Sequence, residues 1–411
     1  LASATAIIQP ALTIESIELN HSIHRIAYST AMQTPPGTLP LGTPAALIDL
    51  PRMQRNIARM QARMQALGVR FRPHVKTTKC TPVVRAQLAA GAQGITVSTL
   101  KEAEQFFADG VTDILYAVGM APHRLPQALA LRRQGCDLKI ITDSVDSARA
   151  IAEFGRAHGE AFQVWIEIDT DGHRSGIKPD EAALLAVGNA LATGGMRLGG
   201  VLTHAGSSYE LDTPEALAAM AEQERAGCVR AAERLRAAGL PCPVVSVGST
   251  PTALSAERLD GVTEVRAGVY VLFDLVMHNV GVCATDEIAL SVLTTVIGHQ
   301  AEKGWAIVDA GWMAMSRDRG TQKQKRDFGY GLACSVDGQV LEGYVLSGAN
   351  QEHGILSREG ALDSDIAQRL PIGTQLRILP NHACATGAQF PAYHALSQDG
   401  TLAAWSRVHG W

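Results

Sequence analysis

Three short stretches hold residue types that chemistry could use. Lys76 stands in Arg-Pro-His-Val-Lys-Thr-Thr-Lys (72–79), directly after a short strand-like run. An amine at a strand end can form an imine with an aldehyde cofactor, although most single lysines are solvated surface groups. His382 and Cys384 form His-Ala-Cys. Alternate residues of an extended segment point the same way, so this imidazole and thiolate could meet one metal. Sulfur with nitrogen suits zinc, and the pair also accepts cobalt, manganese or nickel. Two ligands fall short of a structural site but fit a catalytic ion that keeps positions for water and substrate. The third stretch, Gly-Ser-Thr-Pro-Thr (248–252), offers backbone N–H groups and the hydroxyls of Ser249 and Thr250. Such a turn can cradle a phosphate, and Gly268 and Val269 could add amides; a plain loop is the alternative.

These residues need elements to position them. From residue 50 to 275 short apolar runs alternate with helical patterns. In the first helix Met53, Ile57, Met60, Met64 and Leu67 recur at the helical period, with Pro51 suited to the first turn. Strand candidates begin near residues 70, 94, 113, 138, 162, 198, 243 and 264. Eight such units without an early GxGxxG predict a closed (β/α)8 TIM barrel rather than an open doubly wound sheet. Barrel active sites lie at the C-terminal strand ends. That rule gathers His74 and Lys76, Arg174, His204 to Tyr209, Gly248 to Thr250, and Gly268 to Tyr270. From 276 to 411 the chain is β-rich and lacks long helices, which predicts a C-terminal β domain carrying the metal pair. Residues 32–49 are expected to join that domain.

The composition is globular: 411 residues, 46% hydrophobic, 18% charged, net charge -4. No basic stripe or polybasic segment points to nucleic acid or a membrane surface. No apolar run reaches the roughly 18 residues of a membrane span. Seven scattered cysteines without a CxxC pair argue against a disulfide framework and for a reducing cytoplasm. Residues 1–31, with no lysine and no signal-peptide pattern, read as a leader or expression remnant before a native start at Met32; a genuine N-terminal arm is the alternative.

The series PHVKTTK, DGHRSG, THAGSSY, VGSTPT, RAGVYVLFD and PNHACATG, in this order, resembles the D-serine dehydratase and D-threonine aldolase family from about residue 40 to 411. The resemblance implies an alanine-racemase-like barrel with an accompanying β domain and pyridoxal 5'-phosphate carried on Lys76. It implies that Arg174 meets the cofactor's phenolic oxygen or ring, and that His204 and Tyr209 lie by the ring. Ser249, Thr250, Gly268 and Val269 would meet the phosphate, and Tyr270 completes the expected cofactor-binding residues. His382 and Cys384 would hold a divalent metal, since dehydratases of the family have His-x-Cys there and aldolases a carboxylate in place of Cys384. The implied activity is dehydration of a D-3-hydroxy amino acid, such as D-threo-3-hydroxyaspartate or D-serine, to a 2-oxo acid and ammonia, in a homodimer. Rivals are a D-threonine-type aldolase, an amino-acid racemase, and a non-enzymatic PLP-homeostasis protein. For a substrate β-carboxylate, Arg317, Gln351 and His353 are the β-domain candidates.

Overall fold

The computed structural model describes residues 38–411; the readings for 1–31 and for the start of 32–49 lie outside the described residues. Strand β1 (Ala45–Asp49) leads into a helix, Leu50–Ala66, capped by the Asp49 carboxylate on Arg52 N–H. Then follow the barrel strands β2 (Arg70–Pro73), β3 (Ile95–Val97), β4 (Asp113–Gly119), β5 (Asp137–Thr142), β6 (Gln163–Ile168), β7 (Arg197–Thr203), β8 (Val244–Val247) and β9 (Glu264–Ala267). They coincide with the eight apolar runs read from the sequence. All of their pairings are parallel, in the order β2-β9-β8-β7-β6-β5-β4-β3. A single bridge, His74 to Thr96, joins the two ends, so the barrel closes beside Lys76.

The second sheet contains β10 (Leu290–Gln300), β11 (Trp305–Val308), β12 (Gly331–Cys334), β13 (Val340–Ala349), β14 (Gly354–Arg358), β15 (Gln375–Pro380), β16 (Ala392–Leu396) and β17 (Leu402–Ser406), together with β1. Its order is β11-β14-β13-β12-β15-β10-β1-β16-β17, and β11 also pairs with β10. That extra pairing closes six antiparallel strands into a small barrel and leaves β1, β16 and β17 as an extension. Strand β1 is antiparallel to β10 and parallel to β16. No helix among the described residues is long and apolar enough to cross a membrane.

The large barrel is filled in layers. At its base Arg72 pairs with Glu264 at 2.9 Å and with Asp113 at 2.7 Å. Lys139 joins the cluster through Asp113 and Asp137. Above it Leu115, Ile141, Trp165 and Leu202 pack as an apolar plug. The space above the plug is left for the site. A base cluster of this kind is stable only while every charge is matched, because a buried ion without its partner keeps its desolvation cost. Arg72→Met removes the nearest cation from the Glu264 carboxylate, which is 0% exposed and keeps, among the described residues, only the Ser246 hydroxyl and Arg70 at 3.9 Å, and should lower the free energy of unfolding by about 3–5 kcal/mol. The double variant Arg72→Met/Glu264→Leu should lose less than the single one. Urea unfolding midpoints test both; equal losses would contradict the pairing argument.

Candidate active site

The C-terminal strand ends and the second sheet enclose one cavity of about 1090 Å³. Of the residues singled out in the sequence for the cofactor and the metal, all but Tyr270 line it. Strand β2 ends at Pro73 and the chain turns through a short 3-10 segment, Val75–Thr77, that presents Lys76 to the cavity. The Lys76 ammonium makes no hydrogen bond or ion pair with a described residue. The turn is clasped from outside: Arg407 Nε donates to Thr78 O at 3.0 Å and Val408 N–H to Lys79 O at 2.7 Å.

The floor is polar and tightly ordered. His204, after β7, has Nδ1 3.1 Å from Gly248 O. A carbonyl only accepts, so Nδ1 carries the proton and Nε2 is a free acceptor. Burial, with the nearby cations Lys76 and Arg174, outweighs that carbonyl and lowers His204 to about 4. Burial, with Lys76 and Arg266 beside it, likewise holds His74 well below the usual imidazole range. The His74 Nδ1 atom is buried without a partner. Arg266 points up from β9 and is fixed by Nη1 donating to Ser246 Oγ at 2.6 Å and Nη2 to Thr203 O at 2.5 Å.

The 248–252 turn borders the cavity, and its hydroxyls are partly engaged. Ser249 caps the helical turn Thr250–Ser255 in a reciprocal box with Thr252, and its Oγ lies 2.9 Å from Ser208 Oγ. Thr250 Oγ1 accepts Tyr270 N–H at 3.2 Å and keeps its own O–H to donate. The N–H groups of Gly268 and Val269 have no acceptor among the described residues. Gly248 has φ +135°, and a Cβ there would meet Arg266 O at 2.1 Å, so only glycine fits the turn. Tyr270 departs from the sequence reading. Its ring packs edge-on to Phe71 and its hydroxyl accepts from Gln87, because the 3-10 turn Val269–Val271 points it into the core. Only its main chain borders the cradle.

Arg174 lines the cavity and also makes an ion pair at the barrel top, 3.4 Å to Glu167. His204 and Tyr209 rings lie 6.0 Å apart.

The His-Ala-Cys segment needs a correction. His382 is extended, but Ala383–Gly387 forms a helical turn, so the two side chains do not converge by strand alternation. Strand β15 ends at Pro380, and the next turn is fixed by buried hydrogen bonds. Asp274 Oδ2 accepts Ala383 N–H at 2.9 Å, and Asn381 Nδ2 donates to Gly329 O at 2.7 Å. His382 Nδ1 then lies 2.5 Å from Asp318 Oδ2, and Cys384 Sγ lies 3.4 Å from Thr77 Oγ1 on the Lys76 turn. Burial opposes a charge on His382, but the Cys384 sulfur and the Asp318 hydrogen bond outweigh it and push the imidazolium up to about 11. Burial also opposes ionisation of Cys384, yet its neighbours His382 and Lys76 pull the thiol below its ordinary value. No group of three or more His, Cys, Asp or Glu converges as a metal cluster among the described residues.

Several functional residues escaped the sequence reading. Asp318 is 64 positions from His382, and no spacing rule connects them. Glu224 had a legible signal: it sits on the buried stripe Leu217, Ala221, Cys228 of the helix Pro214–Ala237. Its Oε1 accepts Ala205 N–H at 2.9 Å and Gly248 N–H at 3.0 Å, tying the His204 loop to the Gly248 turn. Lys323 and Lys325 line the cavity without a partner among the described residues, whereas Arg317, Gln351 and His353 do not line it. Arg317 stacks on Trp312, 4.1 Å from the ring centroid, and Gln351 and His353 belong to the turn between β13 and β14.

Comparison with known proteins bears on the whole arrangement. Residues 48–275 match the alanine racemase N-terminal domain, and residues 289–396 match a serine dehydratase domain. The D-threo-3-hydroxyaspartate dehydratase of Delftia sp. (strain HT23) is 76% identical over 375 residues, covering 91% of this chain and 99% of that protein. Its solved structure superposes with a TM-score of 0.90, covering 90% of this chain and 99% of that one. A cysteine-to-alanine variant of that enzyme was solved in a metal-free form. The D-serine dehydratase of Dictyostelium discoideum is 28% identical, covering 88% and 95%. The D-threonine aldolase of Arthrobacter sp. is 29% identical, covering 84% and 86%.

Glu224→Leu leaves two buried N–H groups without an acceptor and should cost about 2–6 kcal/mol, whereas Glu224→Gln keeps an acceptor oxygen and should cost less than half as much. Urea unfolding of the two variants decides this; equal destabilisation would sink the assigned role.

Proposed function

This chain belongs to the family that joins an alanine racemase N-terminal domain to a serine dehydratase domain, and from that premise we propose that it is a PLP- and divalent-metal-dependent dehydratase of D-3-hydroxy amino acids. D-threo-3-hydroxyaspartate, yielding oxaloacetate and ammonia, is the proposed preferred substrate. One observation carries the reading: the barrel's Lys76 turn and the β domain's His382–Cys384 pair meet in a single cavity, 3.4 Å apart at Thr77 and Cys384.

The residues fit the two groups. An unpaired lysine, two unaccepted N–H groups at Gly268 and Val269, and the orphaned His74 Nδ1 are what a phosphorylated aldehyde cofactor would complete. His382 and the acidified thiol of Cys384 offer the nitrogen and sulfur donors that would hold a divalent cation. When bound, pyridoxal phosphate supplies an electron sink for the substrate's α-carbon, and the metal supplies Lewis acidity toward the β-hydroxyl.

The chain's own residues do the rest. Lys76 would hold the cofactor, and its Nζ would take the proton from the substrate's α-carbon. Thr250, Gly268 and Val269 hold the phosphate, while Ser249 keeps their turn in shape. Arg174, His204 and Tyr209 border the cofactor ring. His382 and Cys384 hold the metal, and Asp318 fixes the imidazole's orientation, as carboxylates behind ligating histidines do. Lys323 and Lys325 offer cations to a second carboxylate.

The seven free cysteines support a reducing, cytoplasmic setting. A homodimer is proposed from the family resemblance, and Val118, 44% exposed and on the cavity wall, is an apolar surface for a partner to cover. The barrel is taken as residues 50–275 and the β domain as 276–411 with the 32–49 segment.

The aldolase and dehydratase readings separate on products. Incubation with D-threo-3-hydroxyaspartate should release ammonia and a 2-oxo acid. Glycine with an aldehyde would overturn the proposal. A chelator or Cys384→Ala should stop the reaction while the cofactor's visible-edge absorbance persists. Lys76→Ala should abolish that absorbance and cut turnover by ~10²–10⁴-fold or more, the usual contribution of a positioned proton-transfer group.

The lysines give a further check. Lys323→Gln should raise KM for D-threo-3-hydroxyaspartate by ~10-fold, about one charge-assisted hydrogen bond, and leave KM for D-serine within a factor of about two. A parallel loss on both substrates would remove Lys323 from carboxylate recognition.

A further inference from the structure

A second depression, separate from the active-site cavity, opens where the first barrel helix meets the second sheet. It has a volume of about 520 Å³ and is walled by Asp49, Arg52 and Arg55 on one side and Asp337 and Arg377 on the other. Nothing in the proposed reaction uses it.

Arg377 is its unusual member. It lies on β15 between β12 and β10, in the interior of the sheet, and is 4% exposed. Its Nε is buried without an acceptor, and none of its N–H groups bonds or pairs with a described residue. A guanidinium carries five donors and stays charged at any ordinary pH. Burying one without acceptors is costly, so such a group is normally paired or in contact with an ion.

The charges of Asp49 and Asp337 reach Arg377, but neither carboxylate forms a hydrogen bond or ion pair with it, and both are bonded elsewhere. Asp49 accepts Arg52 N–H at 3.0 Å and pairs with Arg52 Nε at 3.4 Å. Asp337 accepts the Ser335 hydroxyl. Arg52 itself is spent on Ile288 O at 3.1 Å and Gly338 O at 3.0 Å. Arg55, exposed at the rim, has no partner among the described residues. Three guanidiniums therefore face two carboxylates, and the two guanidiniums without partners are Arg377 at the bottom and Arg55 at the rim.

We propose that this depression binds a small oxyanion, a phosphate or carboxylate group gripped by the Arg377 fork with Arg55 as the second cation. The planar fork of arginine matches both kinds of oxyanion. The walls come from the first turn of the helix Leu50–Ala66 and from turns of the second sheet. A bound anion ties the barrel to the β domain and stabilises the folded chain through binding linkage.

The test uses the full chain loaded with its cofactor. Thermal unfolding is followed against inorganic phosphate and, separately, succinate, each balanced with sodium chloride at equal ionic strength. Phosphate, succinate or both should raise the midpoint saturably above the chloride control, and the arm that responds identifies the source. Arg377→Met should remove that increment, and Arg55→Gln should weaken the apparent affinity by ~10-fold or more, as loss of a charge-assisted contact does. No increment over chloride in the parent protein overturns the proposal. So does an undiminished increment in Arg377→Met. If Arg377→Met does not fold, unchanged affinity in Arg55→Gln overturns it.

Discussion

One buried hydrogen bond fixes the geometry on which the site depends. Asp274, in the chain leaving the barrel, accepts Ala383 N–H from the second sheet at 2.9 Å. It also caps its own helix through Met277 N–H at 2.9 Å. One carboxylate thus sets the exit angle of the barrel and the height of the His382–Cys384 turn. Burial pushes its carboxyl above the usual carboxylate range, and His382 and the two N–H donors work against that rise. The arrangement holds because both oxygens are used; a half-satisfied buried carboxylate would be a liability at the same position.

The same logic repeats on the barrel floor. Glu224 bridges the loops after β7 and β8, and Arg266 bridges Thr203 O and Ser246 Oγ. Polar groups at such depth cost more than apolar ones unless saturated, so their presence fixes loop positions more than it adds net stability. The consequence for electrostatics is local. With Arg266 as a fixed cation, burial holds His74 and His204 in the neutral form beside Lys76. The floor offers neutral imidazoles near Lys76, whose Nζ pairs with no carboxylate among the described residues.

The barrel was legible because each strand is a short apolar run between helices that end in glycine, and this periodicity survives burial on both faces. The position of Lys76, Arg174, His204 and Thr250 around one cavity followed from the strand-end rule alone. What escaped were contacts with no sequence period. Asp318 meets His382 only because the loop before β12 folds back over β15. The lysines at 323 and 325 reach the cavity while Arg317, in the same loop, is taken by Trp312. His-Ala-Cys was read as extended because spacing of two suits a strand; a helical turn fixed by Asp274 and Asn381 achieves the convergence instead. Tyr270 was counted with the cofactor-binding residues, but a 3-10 turn rotates an aromatic ring away as easily as toward a ligand, and Gln87 offers it a partner in the core.

The choice among readings rests on what the second sheet contributes. A protein that merely stores the cofactor needs the barrel top, and nothing in that task calls for Asp274 and Asn381 to hold a nitrogen–sulfur pair at the Lys76 turn. An aldolase needs a group that removes a proton from the β-hydroxyl, whereas a dehydratase needs one that helps the whole hydroxyl leave. A thiolate and an imidazole held by Asp318 make a soft, preorganised pair for a Lewis acid, which acts on a departing oxygen without accepting its proton. The pair stands beside Thr77, one residue from the amine proposed to take the α-proton. Proton removal and hydroxyl departure are therefore assigned to adjacent positions of one cavity, and elimination is the reaction that uses both.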